Sequence, residues 1–337
     1  MKKLLALPFV FGTALQADTP TVLTDIAPLH GITAAVMQGV GQPKLLIDQS
    51  ADPHNYALRP SAARWVQDAD LILWMGPELT PWLQKTLDNI APKRNELRFL
   101  AIEETALLAA RTGVGLSNDH DHDDHEDEHH DDHDDEHHDD HKDEHHDDHE
   151  DEHHEELTHK AHHDKQDNPD PHAWLSPENA GRWAHVIADD LAKIDPENAA
   201  QYQANAMAFS EGLVALTGEI HTELKPVTGY NYMVFHDAYQ YFENSFDIQV
   251  RGAIQDSADK KAGAARIRSV QEMVEQEDIH CLLSEPTGSD SILELAIEGH
   301  DVGIATVDPL GQHLELGADF YPNLLRDMAG KLKACGP

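Results

Sequence analysis

Residues 195–224 read DPENAAQYQANAMAFSEGLVALTGEIHTEL, and this stretch decides how the rest of the chain is arranged. Asp195-Pro196-Glu197 is a helix start, a capping residue followed by Pro at the first helical position. No further Pro intervenes before Leu224, so one helix of about 29 residues can run about 40 Å at 1.5 Å per residue. Ser176-Pro177-Glu178 carries the same start signal, so the middle of the chain is helical rather than a flexible linker. A helix that long between two halves acts as a stiff strut, and large hinge closure is not expected.

On either side of this strut, strand and helix signals alternate. Upstream, Val22 to Thr24, Lys44 to Asp48, Leu71 to Met75 and Leu97 to Ile102 are short apolar runs, separated by helical patterns such as Ser61 to Ala69 and Thr80 to Ile90. Downstream, Met233 to Phe235, Ile248 to Ala253, Ile279 to Leu283 and Val302 to Val307 repeat the rhythm, with helices near Ala262 to Gln276, Ser289 to Gly299 and Leu316 to Leu332. Short apolar strands spaced by helices mean parallel sheets covered on both faces. The expected fold is therefore α/β, with two lobes that each hold a helix-covered parallel sheet and a long rigid helix joining them. At 337 residues there is length for two such cores.

The net charge of −39 excludes nucleic acid as a partner and favours cations. Between Asn118 and Gln166 there are 24 Asp and Glu against 3 Lys, so more than half of that charge sits in one insert. From Asp119 to His163 the chain is almost wholly Asp, Glu and His, with 17 of the 26 histidines and an octad that recurs from Asp135 and from Asp143. Such a segment has too few apolar side chains to offset its ordering entropy and is expected to be a disordered loop. Its imidazoles and carboxylates suit Zn²⁺, Cu²⁺ or Ni²⁺, and a plain acidic linker has no need of them.

Met1-Lys2-Lys3, an apolar run from Leu4 to about Leu15, and Gln16-Ala17 before Asp18-Thr19-Pro20 are ordered as a secretory signal peptide, with cleavage after Ala17. No Cys follows the apolar run, so a free periplasmic protein is expected rather than a lipid-anchored one. Cys281 and Cys335 are an even count in an exported chain, which permits one disulfide within the C-terminal half.

Nine histidines lie outside the loop. His54 stands just beyond the strand that ends at Asp48, and His236 ends the strand Tyr232-Met233-Val234-Phe235. Ligands of open α/β sheets gather outside such carboxyl ends. His172 follows the loop directly, in Asn168-Pro169-Asp170-Pro171-His172, where two prolines restrict the backbone, and Asp308 ends a strand of the second half. Three imidazoles with a carboxylate or water make a tetrahedral Zn²⁺ set. His185 and His221 fall on helices, and His30, His280, His300 and His313 lack this placement, so core or surface roles are expected for them. The chain divides into a signal peptide at 1–17 and a metal-binding lobe at 18–175 that includes the loop at 118–166. A helical linker at 176–227 and a second metal-binding lobe at 228–337 complete it.

In His54-x-Tyr56 with Arg59-Pro60-Ser61, in Asp170-Pro171-His172-x-Trp174, in His236-Asp237-Ala238-Tyr239 and in Asp308-Pro309-Leu310-Gly311, the sequence resembles the zinc-specific substrate-binding proteins of bacterial ABC importers, the ZnuA family. These motifs span nearly all of the mature chain, and the His-rich insert sits where zinc members carry theirs. The resemblance implies one Zn²⁺ between two lobes and delivery to a membrane permease with a cytoplasmic ATPase. A periplasmic zinc chaperone would be a further partner, and the protein would be a monomer. Manganese members resemble this pattern but place Glu where this chain has His236. Some zinc members have Glu just before the first ligand, whereas Pro53 stands here. The fourth position is thus left to Asp308, water or a loop histidine, with Asp52 a weaker candidate.

Two other readings compete. A hydrolytic zinc centre would need a general base, and neither an HExxH pair nor a nucleophile elbow is present, while Asp237 and Glu285 have no distinguishing spacing. The expectation is therefore that the chain is not an enzyme. A zinc buffer or metallochaperone would work mainly through the loop, and deleting the loop separates that reading from a site in the cleft.

Overall fold

The computed structural model describes residues 19–116, 168–255, 262–286 and 288–335. The signal peptide expected over 1–17 and the loop expected over 118–166 lie outside the described residues.

In the first half β1 (Val22–Thr24), α1 (Ala27–Val36), β2 (Lys44–Leu45), α2 (Pro60–Asp68), β3 (Leu71–Trp74), α3 (Pro81–Ile90) and β4 (Glu96–Arg98) follow one another. The strands form a parallel sheet in the order β2-β1-β3-β4. Then come α4 (Pro177–Ile194) and α5 (Ala199–Leu224). The second half repeats the pattern with β5 (Asn231–His236), α6 (Gln240–Phe246), β6 (Gln249–Gln255), α7 (Ala264–Gln276), β7 (Ile279–Ser284), α8 (Asp290–Ala296), β8 (Gly303–Thr306) and α9 (Phe320–Cys335). Its sheet is also parallel, in the order β6-β5-β7-β8.

The period of two along each strand distributes side chains between separate cores. In β3, Leu71 and Leu73 enter the central core, while Ile72 and Trp74 pack with Ala62, Val66, Leu83 and Leu87 under α2 and α3. In β5, Tyr232 and Val234 face the central core, and Met233 and Phe235 face Ile267, Val270 and Leu293 under α7 and α8. The central core is common to both halves, taking in Leu29 and Ile32 of α1, Trp183 of α4, Leu213 of α5 and Leu324 and Met328 of α9. Gly31 lets α1 approach α9 closely, since a Cβ there would lie 2.9 Å from Phe320 Cβ.

The α4 start is as the sequence predicts, with Ser176 Oγ accepting from Asn179 N–H at 3.2 Å and Pro177 at the first helical position. Pro196–Asn198 instead forms a 3₁₀ turn in which Asn198 N–H donates to Asp195 O at 3.2 Å, so α5 spans 26 residues. Its buried positions Tyr202, Ala206, Leu213, Leu216, Ile220 and Leu224 recur at helical spacing along the whole element. The predicted strand Lys44 to Asp48 pairs only at Lys44–Leu45, although Leu46 N–H and Ile47 N–H still donate to Thr24 O and Asp25 O at 2.8 and 3.1 Å. Likewise β4 ends at Arg98, and the chain turns at Phe99 and Leu100 while their N–H groups bond Trp74 O and Met75 O. A disulfide joins Cys281 of β7 to Cys335 at the end of α9, with Cα atoms 5.9 Å apart. No helix among the described residues is long and apolar enough to cross a membrane.

Candidate metal centre

Three separate segments bring imidazoles to the carboxyl ends of the two sheets. His54 sits in the turn that leaves β2, where its N–H donates to Asp52 Oδ1 at 2.9 Å and Pro53 O accepts from Trp82 Nε1–H at 2.8 Å. His172 follows an antiparallel bridge between Ala109 and Pro169. His236 is the last residue of β5. Ring centroids of His54 and His172 are 5.8 Å apart, those of His172 and His236 5.4 Å, and those of His54 and His236 6.5 Å. One nitrogen from each ring falls within 4.8 Å of the others, the only such group of potential ligand atoms among the described residues.

Two of the rings are backed by carboxylates that the sequence reading did not assign to this role. Asp170 Oδ1 accepts from His172 N–H at 3.0 Å and pairs with His172 Nδ1 at 2.7 Å, an acceptor that favours the ring proton on Nδ1 and leaves Nε2 as the free lone pair. Glu285 Oε1 lies 2.5 Å from His236 Nδ1, at ion-pair distance but bent off hydrogen-bond geometry. His236 Nε2 is buried with no hydrogen-bond partner among the described residues. A buried, unpaired imidazole nitrogen is costly unless it has a ligand to bind. Burial works to lower the pKa of His236, but the charge of Glu285, with Asp237 and Asp170 behind it, raises it overall.

Asp308 lies on the wall of the same pocket, which is also lined by Trp174, Glu285, Pro309 and Leu310. It falls outside the 4.8 Å group, and its carboxylate accepts from Leu310 N–H and Gln312 N–H in a tight turn. Asp52 serves the turn at His54. Of the histidines set aside, His30 is buried in α1 against Pro43 O at 3.2 Å, His185 contacts Ser210 Oγ, and His313 pairs with Asp327. Asp170 and Glu285 both had a legible signal. Asp170 has the spacing of an Asx turn two residues before a histidine, and Glu285 stands just past the carboxyl end of β7.

A family profile described as "Zinc-uptake complex component A periplasmic" matches residues 22–335. The high-affinity zinc uptake system protein ZnuA of Brucella abortus (strain 2308) is 40% identical over 326 residues, covering 97% of this chain and 94% of the relative. The protein of the same name from Paracoccus denitrificans (strain Pd 1222) is 37% identical over 335 residues, covering 98% and 97%. A solved crystal structure of ZnuA shares the fold at a TM-score of 0.70 and 19% identity, covering 95% of this chain and all of the other. The profile and the relatives both run nearly end to end, and the chain belongs to the ZnuA family of periplasmic zinc-uptake components, a family of transport proteins and not of enzymes.

Proposed function

We propose that this protein is exported by a cleavable signal peptide at 1–17 and captures one Zn²⁺ with high affinity on His54, His172 and His236, between the two sheets. It then delivers the ion to the membrane permease of an ABC importer driven by its ATPase. The observation that carries this reading is the convergence of three imidazoles from three segments, with ligand atoms within 4.8 Å and the Nε2 of His236 buried and unpaired. Tetrahedral zinc with bonds of about 2.0 to 2.1 Å needs nitrogens about 3.4 Å apart, which side-chain shifts of under about 1 Å supply. An all-imidazole set favours Zn²⁺ over the harder Mn²⁺. The fourth position goes to Asp308, directly or through water. The His-rich segment at 118–166 collects zinc by weak, multiple contacts and passes it to the cleft.

The test is competition with a zinc chelator for three proteins: the full chain, a variant lacking residues 119–163, and His236→Ala. The loopless variant should keep one tight site and lose only weak ones, while His236→Ala should weaken that site by at least about 100-fold, the scale of one lost ligand in a three-histidine set. Loss of the tight site with the loop would show that the protein is instead a buffer working through that segment.

A further inference from the structure

Residues 105–116 cross from one half of the molecule to the other. Their first end is held on α4, where Thr105 Oγ1 accepts from Trp183 Nε1–H at 2.8 Å and Ala106 N–H donates to Asn179 Oδ1 at 2.9 Å. Next, Leu108 N–H donates to the Tyr241 hydroxyl on α6 at 3.0 Å. At the far end Val114 O accepts from Ala253 N–H at 3.1 Å, so the chain adds itself to β6, the edge of the second sheet. Val114 also packs into the outer core of that half, and Gly113 O accepts from Arg266 at 3.1 Å. The segment is a strap, fixed at both ends.

Arg111 stands in the middle of this strap, with its side chain only 10% exposed. Its guanidinium donates to both oxygens of Asp237, through Nε at 3.0 Å and Nη2 at 2.5 Å. It also donates to both oxygens of Glu243, through Nη1 at 2.9 Å and Nη2 at 2.6 Å. Asp237 directly follows His236, and Glu243 belongs to α6. A planar fork satisfied on both sides by buried carboxylates is a rigid tie, because it opens only by breaking several charge-assisted bonds together.

The location of the tie matters as much as its strength. The three histidines line a small pocket of ≈ 40 Å³ together with Trp174, Pro286 and Pro309. They also line a larger pocket of ≈ 370 Å³, whose wall includes Arg111, Thr112, Asn168 and Asp237. Arg111 and Thr112 of the strap thus form part of the wall beside the histidines.

We propose that Arg111 is a positioning residue that latches residues 105–116 across the larger opening to the histidine centre, and so sets how fast metal enters and leaves without touching the ion. This rests on reading His54, His172 and His236 as the metal site. Because the latch lies beside the route and outside the ligand set, releasing it speeds capture and loss alike and leaves their ratio nearly unchanged.

The test uses the full chain with Zn²⁺ alone. Arg111→Lys keeps the charge but loses the two-sided fork. A second variant, Glu243→Gln, breaks one side of the fork while Arg111 stays paired with Asp237, so no buried charge is stranded, which keeps the test valid if the first variant folds poorly. Association is read by stopped flow, dissociation of the tight phase by excess chelator, and Kd by competition. Both rate constants should rise about tenfold, with Kd within about threefold, as expected of local opening made easier. Unchanged rates, or a Kd shift that by itself accounts for the rate change, would overturn the latch. His236→Ala run in parallel separates the two ideas, since tight binding that survives there overturns the metal site itself.

Discussion

Asp25 offers the sharpest test of the energetics around the centre. It directly follows β1, is 1% exposed, and its carboxylate accepts from Ile26 N–H at 2.8 Å and Met75 N–H at 2.9 Å. Its carbonyl accepts from Ile47 N–H, which holds the turn that leads to His54. Burial pushes the Asp25 carboxyl up to about 7, outweighing the two N–H bonds that favour its ionised form. In the unfolded chain it ionises near 3.8. Between these values the folded protein holds a proton that the unfolded chain has lost, so stability falls as pH rises through this window. A rise of about 3 pK units at 1.36 kcal/mol each amounts to about 4 kcal/mol, fully expressed above pH ~7 and absent below pH ~4. Asp25→Asn cannot titrate, and it sets an NH₂ group against a backbone N–H at a cost of about 1 to 2 kcal/mol at every pH. Urea unfolding of both proteins from pH 4 to 8 should therefore show the parent losing about 4 kcal/mol relative to the variant. A difference that stays within about 1 kcal/mol across that range, or that moves the other way, refutes the assigned ionisation.

Two further substitutions probe the carboxylate behind His172 and the shared core. Asp170→Ala removes the acceptor that orients His172, and chelator competition should show zinc affinity reduced about 10- to 100-fold, whereas affinity within about twofold of the parent would deny Asp170 that role. Asp170→Asn, which keeps an acceptor for the ring, should retain more of the affinity. Gly31→Ala places a methyl group 2.9 Å from Phe320 and should lower stability by about 1 to 3 kcal/mol in urea unfolding while leaving zinc affinity intact once folded; no loss of stability would mean that α1 and α9 can shift apart at little cost.

The two sheets were legible because apolar runs such as Leu71 to Trp74 alternate with helical periods, and because a buried parallel strand has few other ways to read. The place of His236 was legible for a related reason, since a residue at the carboxyl end of a parallel strand has its direction set by the sheet, whereas His54 and His172 sit on irregular backbone that periodicity does not fix. Strand ends were less legible, since Leu46 and Ile47 keep the composition and some of the bonds of a strand while the backbone already turns. Asp170 stands two residues from its histidine, but the pairing of Glu285 with His236 was hidden by sequence distance. Glu285 reaches His236 only because β5 and β7 are neighbours, and nothing in their composition fixes that order. Arg111 meets Asp237 across 126 residues from a stretch without periodicity, so its role could not be read before the strap was seen crossing to β6.

The core common to both halves bears on how a transporter tells a loaded carrier from an empty one. Swinging the sheets apart like a clamshell would draw Trp174, Phe320, Tyr321 and Leu324 into water, at about 1.5 to 3 kcal/mol for each large apolar side chain. The Trp174 indole would also lose Pro309 O, and the Tyr321 hydroxyl would lose Trp174 O. One bound ion would have to offset that whole sum on every cycle. A loaded and an empty carrier that share this core would differ at a few side chains on the rim of the site rather than in the outline of the molecule.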